Sequence, residues 1–410
     1  MNRRNFLRLS SLFAVAGLTA CRFDGKVFNP CKEDTAPEAW LTHPTVTAAW
    51  EGVDEQNVWD GHVHLVGTGD SDSGVWVNPE MRSLWHPWQY SQMKFYLNAA
   101  CSDDTRVDDS YVERLIDLKS AFPSETRFML LAFDYFHDDQ GERVESLSTF
   151  YTPNAYAASI HQRHPDHFEW IASVHPYRAD CVGELHLAYE RGARAVKWLP
   201  PAMGIDPASP KCDRFYAAMA KLKLPLLTHA GDEHAVKADD FQRMGNPLLL
   251  RRALEHGVRV VVAHCASQGQ NFDLDNPSKP AYLDNFDLFG RMMDEAAYDD
   301  LLYGEISAIT QVNRAAPALA ELLQRREWHA RLVNGSDYPL PGVMPLFSWN
   351  YLVKLELLSE SVADVCKAIR GHNPLLADFV CKRHLSYNGA SFPSQVFESK
   401  RVYGTPVKVV

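Results

Sequence analysis

The chain has 410 residues, a formal net charge of −11, 46% hydrophobic and 23% charged residues, a balance ordinary for a globular protein with a sizeable core. The acidic balance argues against nucleic-acid binding, which needs a basic face to neutralise phosphates. No Lys/Arg-rich cluster occurs beyond the first few residues, and there are no internal repeats or low-complexity tracts.

Arg3-Arg4 followed by Phe6-Leu7 precedes an apolar stretch, residues 9–20, that ends in Leu18-Thr19-Ala20-Cys21. The stretch is too short to cross a ~30 Å hydrocarbon core as a permanent helix. The arginine pair resembles a twin-arginine export signal, and Leu18 to Cys21 resembles a bacterial lipobox. These resemblances imply that residues 1–21 are a signal and that the protein is exported to the periplasm or cell-envelope face. Its only membrane attachment would then be a lipid on Cys21, and an ordinary cleaved signal is the alternative. The other seven cysteines include no CxxC spacing, so neither a zinc-cysteine site nor a disulfide framework is indicated. Residues 22–57, with Pro30, Pro37 and Pro44, are expected to form a tether and lead-in to one barrel domain, 58–410.

Short apolar runs then recur at 58–65, 127–136, 168–177, 193–199, 224–230, 258–265, 302–309 and 332–338. Amphipathic stretches at 110–122, 181–191, 213–222, 247–256 and 315–328 alternate with them. Gly192 and Gly257 close two of these helices before the next strand, where a left-handed cap suits glycine. Eight strands alternating with helices predict an α/β fold, a (β/α)8 TIM barrel. Two insertions, 68–94 after strand one and 269–287 after strand six, read as long loops. Helices near 361–370 and 374–383 are expected to complete the barrel.

Chemistry-bearing residues gather at the predicted strand ends. Strand one ends in Trp59-Asp60-Gly61-His62-Val63-His64, and residues two apart on a strand share a face. His62 and His64 can therefore aim together at the barrel axis as half of a divalent-metal site. Strand four carries Lys197, strand five ends in His229, strand six in His264 and strand eight in Asp337. In a barrel all of these project at the C-terminal rim, where such folds place catalysis.

This set resembles the amidohydrolase superfamily, in particular its amidohydrolase-related branch of hydrolases and decarboxylases. Gly192-Ala193-Arg194-Ala195-Val196-Lys197, Gly335-Ser336-Asp337-Tyr338-Pro339 and Gly371-His372-Asn373-Pro374 add to the likeness, which covers roughly residues 58–385. It implies that His62, His64, His229 and Asp337 hold a divalent metal, expected to be zinc, with Asp337 also the general base. His264 would bind a second ion or serve as an acid/base or substrate-polarising group. Lys197, if carbamylated, would bridge two ions, so one or two are expected. The implied reaction is metal-assisted attack of water on an amide, lactone or ester of a small molecule. A non-oxidative decarboxylase of an aromatic carboxylic acid is the alternative on the same scaffold, and a non-catalytic ligand-binding lipoprotein is a third.

Around these, Glu305 ends strand seven and could orient a ligand imidazole. His137 and His175 follow strands two and three near the expected mouth. Trp85, Trp88, Tyr90, Tyr135, Tyr177, Trp198 and Tyr338 are candidate aromatic lining, which favours a planar or apolar substrate.

Overall fold

The apolar runs form eight parallel strands in a computed structural model that describes residues 27–279 and 281–404. They are β1 (Trp59–His64), β2 (Arg127–Leu131), β3 (Phe168–Ile171), β4 (Val196–Trp198), β5 (Leu226–His229), β6 (Val260–Ala263), β7 (Leu302–Glu305) and β8 (Leu332–Val333). β1–β3 pair in sequence as one sheet, and β4–β8 pair in sequence as another. Parallel bridges Val63–Tyr338 and Ala172–Val196 join the sheets at both seams. The His64 backbone N–H donates to the Tyr338 carbonyl (2.9 Å), and that of Lys197 donates to Ala172 (2.6 Å), closing the (β/α)8 barrel.

Alternation sets the two faces of each strand. Met129, Leu131, Ile171, Ala195, Leu227, Val261, Ala263 and Val333 share one buried cluster, the barrel interior. Their neighbours Leu226, Val260 and Val262 pack outward against the helices. Val402 and Tyr403 join the interior cluster, so the turn at 400–403 plugs the lower end of the barrel.

The hydrogen-bonded strands stop up to six residues short of several apolar runs. Segments such as 132–136 and 306–309 leave the ladder as loops at the rim. The first insertion is more ordered than a loop. It holds a two-residue strand, Trp76–Val77, paired with Phe150–Tyr151, and a fourteen-residue helix, Pro87–Ala100, that buries Met93, Leu97, Ala99 and Ala100. The second insertion is a hairpin, Gln270–Phe272 against Tyr282–Asp284, leading into helix Asn285–Met293. Near the C-terminus, Ser359 and Asn373 cap helices Glu360–Arg370 and Pro374–His384 with side-chain oxygens, as their positions before each run favour.

Residues 1–21, where a signal is expected, and with them Cys21, lie outside the described residues. The described part of the lead-in docks on the barrel, because helix Pro44–Trp50 has an apolar side. Val46 and Ala49 are buried, and Trp50 stacks on Phe379 at 4.2 Å. A disulfide joins Cys31 to Cys101 across 70 residues of sequence. Closing so long a loop limits the unfolded chain, so Cys31→Ser should cost about 2–4 kcal/mol. A thermal melt checks this: the variant should melt earlier than wild type, and reductant should lower only the wild-type transition.

Candidate functional site

β1 slips in its pairing with β2 between Asp60 and Val63. The slip resets the alternation, so that Trp59 fills the interior below while His62 and His64 both enter it above. Asp60 pins this irregularity: one carboxylate oxygen accepts from the backbone N–H of His62 (3.1 Å) and of Ser336 (2.7 Å). Burial pushes the Asp60 carboxyl up to about 6 against those hydrogen bonds. Gly335 completes the junction, since a Cβ there would lie 2.6 Å from Glu305 Oε1 and 2.7 Å from His62 Cβ.

The His62 Nδ1–H donates to Glu305 Oε2 (2.6 Å), which also accepts from Ser307 Oγ (2.6 Å). That partner fixes the tautomer and leaves Nε2 free. His62 Nε2 lies 3.3 Å from Asp337 Oδ1 and 3.3 Å from Lys197 Nζ. His64 Nε2 lies 3.0 Å from the same Asp337 oxygen. One ligand atom from each of His62, His64 and Asp337 falls within 4.8 Å of the others. Asp337 itself sits at φ +63°, a backbone that Asp adopts more readily than most residues.

His264 reaches the site differently. Strict alternation would turn it outward with Val260 and Val262. Instead His264, Cys265 and Ala266 adopt φ of +57°, +49° and +51°. The turn brings His264 Nε2 to 3.7 Å from Asp337 Oδ2, while its Nδ1–H donates to the Ser307 carbonyl (3.0 Å). His229 points inward above Leu227, and its ring centroid is 5.4 Å from that of His264. Its Nε2 lies 3.3 Å from the Asp232 carbonyl and its Nδ1 3.6 Å from Glu233 Oε2. His229 thus borders the three-residue group without joining it.

Burial holds His62 and His264 well below the usual imidazole range, and His229 at about 4. Neutral imidazoles are the form that binds a metal. Burial also lowers Lys197, against the pull of Glu305, Asp337 and Glu233. It pushes Glu305 up to about 7, with Lys197 and Ser307 opposing. For Asp337 burial acts upward, but His62, His64 and Lys197 together outweigh it and keep the carboxyl below its usual range.

Four sequence candidates fall outside this cluster. Trp198 alternates away from Lys197, stacks on Phe215 at 5.5 Å and donates its Nε1–H to the Val174 carbonyl. Tyr338 alternates away from Asp337 and packs beside Tyr111 at 5.8 Å. Both belong to the layer between barrel and helices. His137 and His175 face each other, ring centroids 4.6 Å apart, and both are held by backbone carbonyls, of Tyr135 and Met203. Of the candidate lining aromatics, Tyr135 stacks on Tyr151 at 4.2 Å, and Trp85 stands 92% exposed.

Other residues at the site carry no sequence signal of their own. Glu233 is buried beside His229, and Ser307 bridges Glu305 to the His264 ring. Arg314, in the loop after β7, is 7% exposed, and its Nη1 has no hydrogen-bond partner. Its charge acts on His229 and His264, and in turn feels Asp337, Glu233 and Asp232.

A family model described as "Amidohydrolase" matches residues 59–375. No curated protein matches the chain. Solved structures similar to it include an uncharacterized TIM-barrel protein from Bordetella bronchiseptica, 16% identical with a TM-score of 0.47 over 78% of this chain and 99% of that one. Another is a 5-carboxyvanillate decarboxylase from Novosphingobium aromaticivorans with bound manganese, at 11%, 0.47, 85% and 97%. A third is 4-oxalomesaconate hydratase from Rhodopseudomonas palustris, at 14%, 0.44, 85% and 95%.

Proposed function

This chain belongs to the amidohydrolase family, and from that premise we propose that it is a metal-dependent hydrolase in which water attacks an amide, lactone or ester of a small molecule. The convergence of His62, His64 and Asp337 on one point carries the reading. Two imidazoles and a carboxylate are the donors a divalent ion needs, and their nitrogen-rich character favours zinc. These three would hold the ion, with His229, His264 and Lys197 as adjacent donors. When bound, the ion supplies Lewis-acid polarisation of a carbonyl and makes water more acidic.

The chain's own groups do the rest. Asp337 takes a proton from the attacking water and passes it to the leaving group. Glu305 holds His62 with Nε2 directed at the site. His264, with its Nδ1–H given to Ser307, presents an unprotonated Nε2 suited to a second ion or to a proton. A lowered Lys197 pKa enlarges the neutral amine fraction from which a carbamate forms.

Metal content per chain, compared between wild type and Lys197→Ala, is the test. Two ions falling to one or none supports a bridged binuclear hydrolase. One ion in both supports a mononuclear centre, and none in either after zinc or manganese supplementation overturns the reading.

Arg314 gives specific support to a second reading, a decarboxylase of an aromatic carboxylic acid, because a buried guanidinium whose Nε donates to Gln311 Oε1 (3.3 Å) while its Nη1 has no partner can still meet a substrate carboxylate. Arg314→Met should raise KM for a carboxylate substrate about 10–100-fold, as the loss of a charged hydrogen bond predicts. A neutral ester should be little affected, and carbon dioxide release separates lyase from hydrolase.

The predicted export signal and Cys21 lipid belong to the same reading, which places the enzyme on a tether at the cell envelope.

A further inference from the structure

The described chain begins on an apolar surface. Phe28 is 58% exposed and Val27 47%; beside them lies helix Pro87–Ala100, preceded by Leu84 at 75% and Trp85 at 92%, with Trp88 at 42%. The two segments are joined. Phe28 stacks on Phe95 with centroids 5.5 Å apart and planes at 13°. The Asn29 backbone N–H donates to Asn98 Oδ1 (2.8 Å), and Cys31 is bonded to Cys101. Trp88 and Phe95 are seven residues apart, two turns, and so share one side of the helix. A tryptophan that is nine-tenths exposed has a large unmet burial, and exposed Leu84 and Trp88 flank it along the chain.

We propose that this face rests on a lipid bilayer, with Trp85 and Trp88 in the headgroup layer. The proposal relies on the reading that Cys21 is acylated. Cys21 precedes Val27 by six residues, and a chain of that length reaches about 20 Å at most. An acyl group in the bilayer therefore keeps Val27, and the helix fastened to it, close to the membrane. Tryptophan is the residue most at home at that depth, with an apolar body and a polar N–H. The net charge of −11 offers no general attraction to anionic lipid, so the docking is apolar and little affected by salt. No described helix is long and apolar enough to cross a membrane, which fits a surface contact. The same helix borders the barrel mouth: Gln92 Nε2 and Tyr96 OH both donate to the Ala235 carbonyl, at 2.6 and 2.7 Å, two residues from Glu233. The site would then open beside the lipid surface.

The test uses the full chain, purified from membranes and reconstituted into phosphatidylethanolamine vesicles carrying brominated acyl chains. Wild-type tryptophan fluorescence should be quenched, and amides 84–95 should gain protection from hydrogen exchange. Trp85→Ser/Trp88→Ser should lose most of that quenching, with metal content and melting temperature unchanged. A wild-type chain that floats with vesicles yet shows neither quenching nor protection overturns the docking face, as does protection of 84–95 by a co-purifying protein in the absence of lipid. Mass spectrometry of the same chain decides acylation separately. A chain without acyl group ends the anchor reading, and its quenching with added vesicles at millimolar lipid still decides the face.

Discussion

Asp337→Asn is expected to lower kcat by about three orders of magnitude, within the 10²–10⁴ range of a general acid–base group. The substitution is chosen for its backbone, because Asn tolerates the φ of +63° at this position, where alanine would be strained. Asparagine keeps the volume and a hydrogen-bonding oxygen toward His64 but cannot take a proton from water. The variant should fold but melt earlier than wild type, because surroundings that favour the carboxylate form at this position then lack its charge. Steady-state kinetics on the substrate found by screening amides, lactones, esters and aromatic acids is the check. An Asp337→Asn enzyme that retained a tenth or more of wild-type kcat would remove Asp337 as the base.

The second large effect is expected at His62. Its ring lies against four functional groups at once: Glu305 at 2.6 Å, Lys197 at 3.3 Å, Asp337 at 3.3 Å and Ser307 Oγ at 3.3 Å. His62→Ala should leave less than a tenth of an ion per chain and no measurable turnover. Glu305→Gln should act more mildly, weakening metal affinity about 10–100-fold, as expected when a ligand loses the partner that orients it. Elemental analysis after dialysis against a weak chelator separates the two variants. Equal, full metal content in His62→Ala would show that His62 is not a ligand of the centre.

The barrel was legible because its eight strands are short apolar runs separated by helical stretches, and eight such repeats over this length match a closed barrel. Where each strand stops was less legible. Residues 132–136 and 306–309 are as apolar as the strands before them, but they turn out of the ladder to build the rim. The same limit explains Trp198 and Tyr338. Each is next to a site residue in sequence, and alternation therefore sends it to the opposite face. Parity is a safe guide only along an unbroken strand; the slip in β1 and the left-handed turn at His264 both depart from it, and neither has a plain sequence signal. The sequence over 87–94 reads as loop because its aromatic and polar residues follow no clear apolar period, although it begins helix Pro87–Ala100 with Pro87 at a favoured first position. Arg314 had no mark beyond its type. Only packing reveals that a guanidinium from a loop is buried without a partner for one of its nitrogens.

The run of left-handed residues at His264, Cys265 and Ala266 bears on how this enzyme can change. Each such non-glycine residue costs of order 1–3 kcal/mol, held in place by its surroundings. A lineage under selection for heat resistance has a gain to make here in glycine at 266, which removes only a methyl, whereas glycine at 265 would also remove a buried thiol that donates to the Glu305 carbonyl. Each such step would also loosen the turn that aims His264 at Asp337. Heat tolerance and catalytic aim thus draw on the same few dihedral angles, and populations evolved for one should drift in the other.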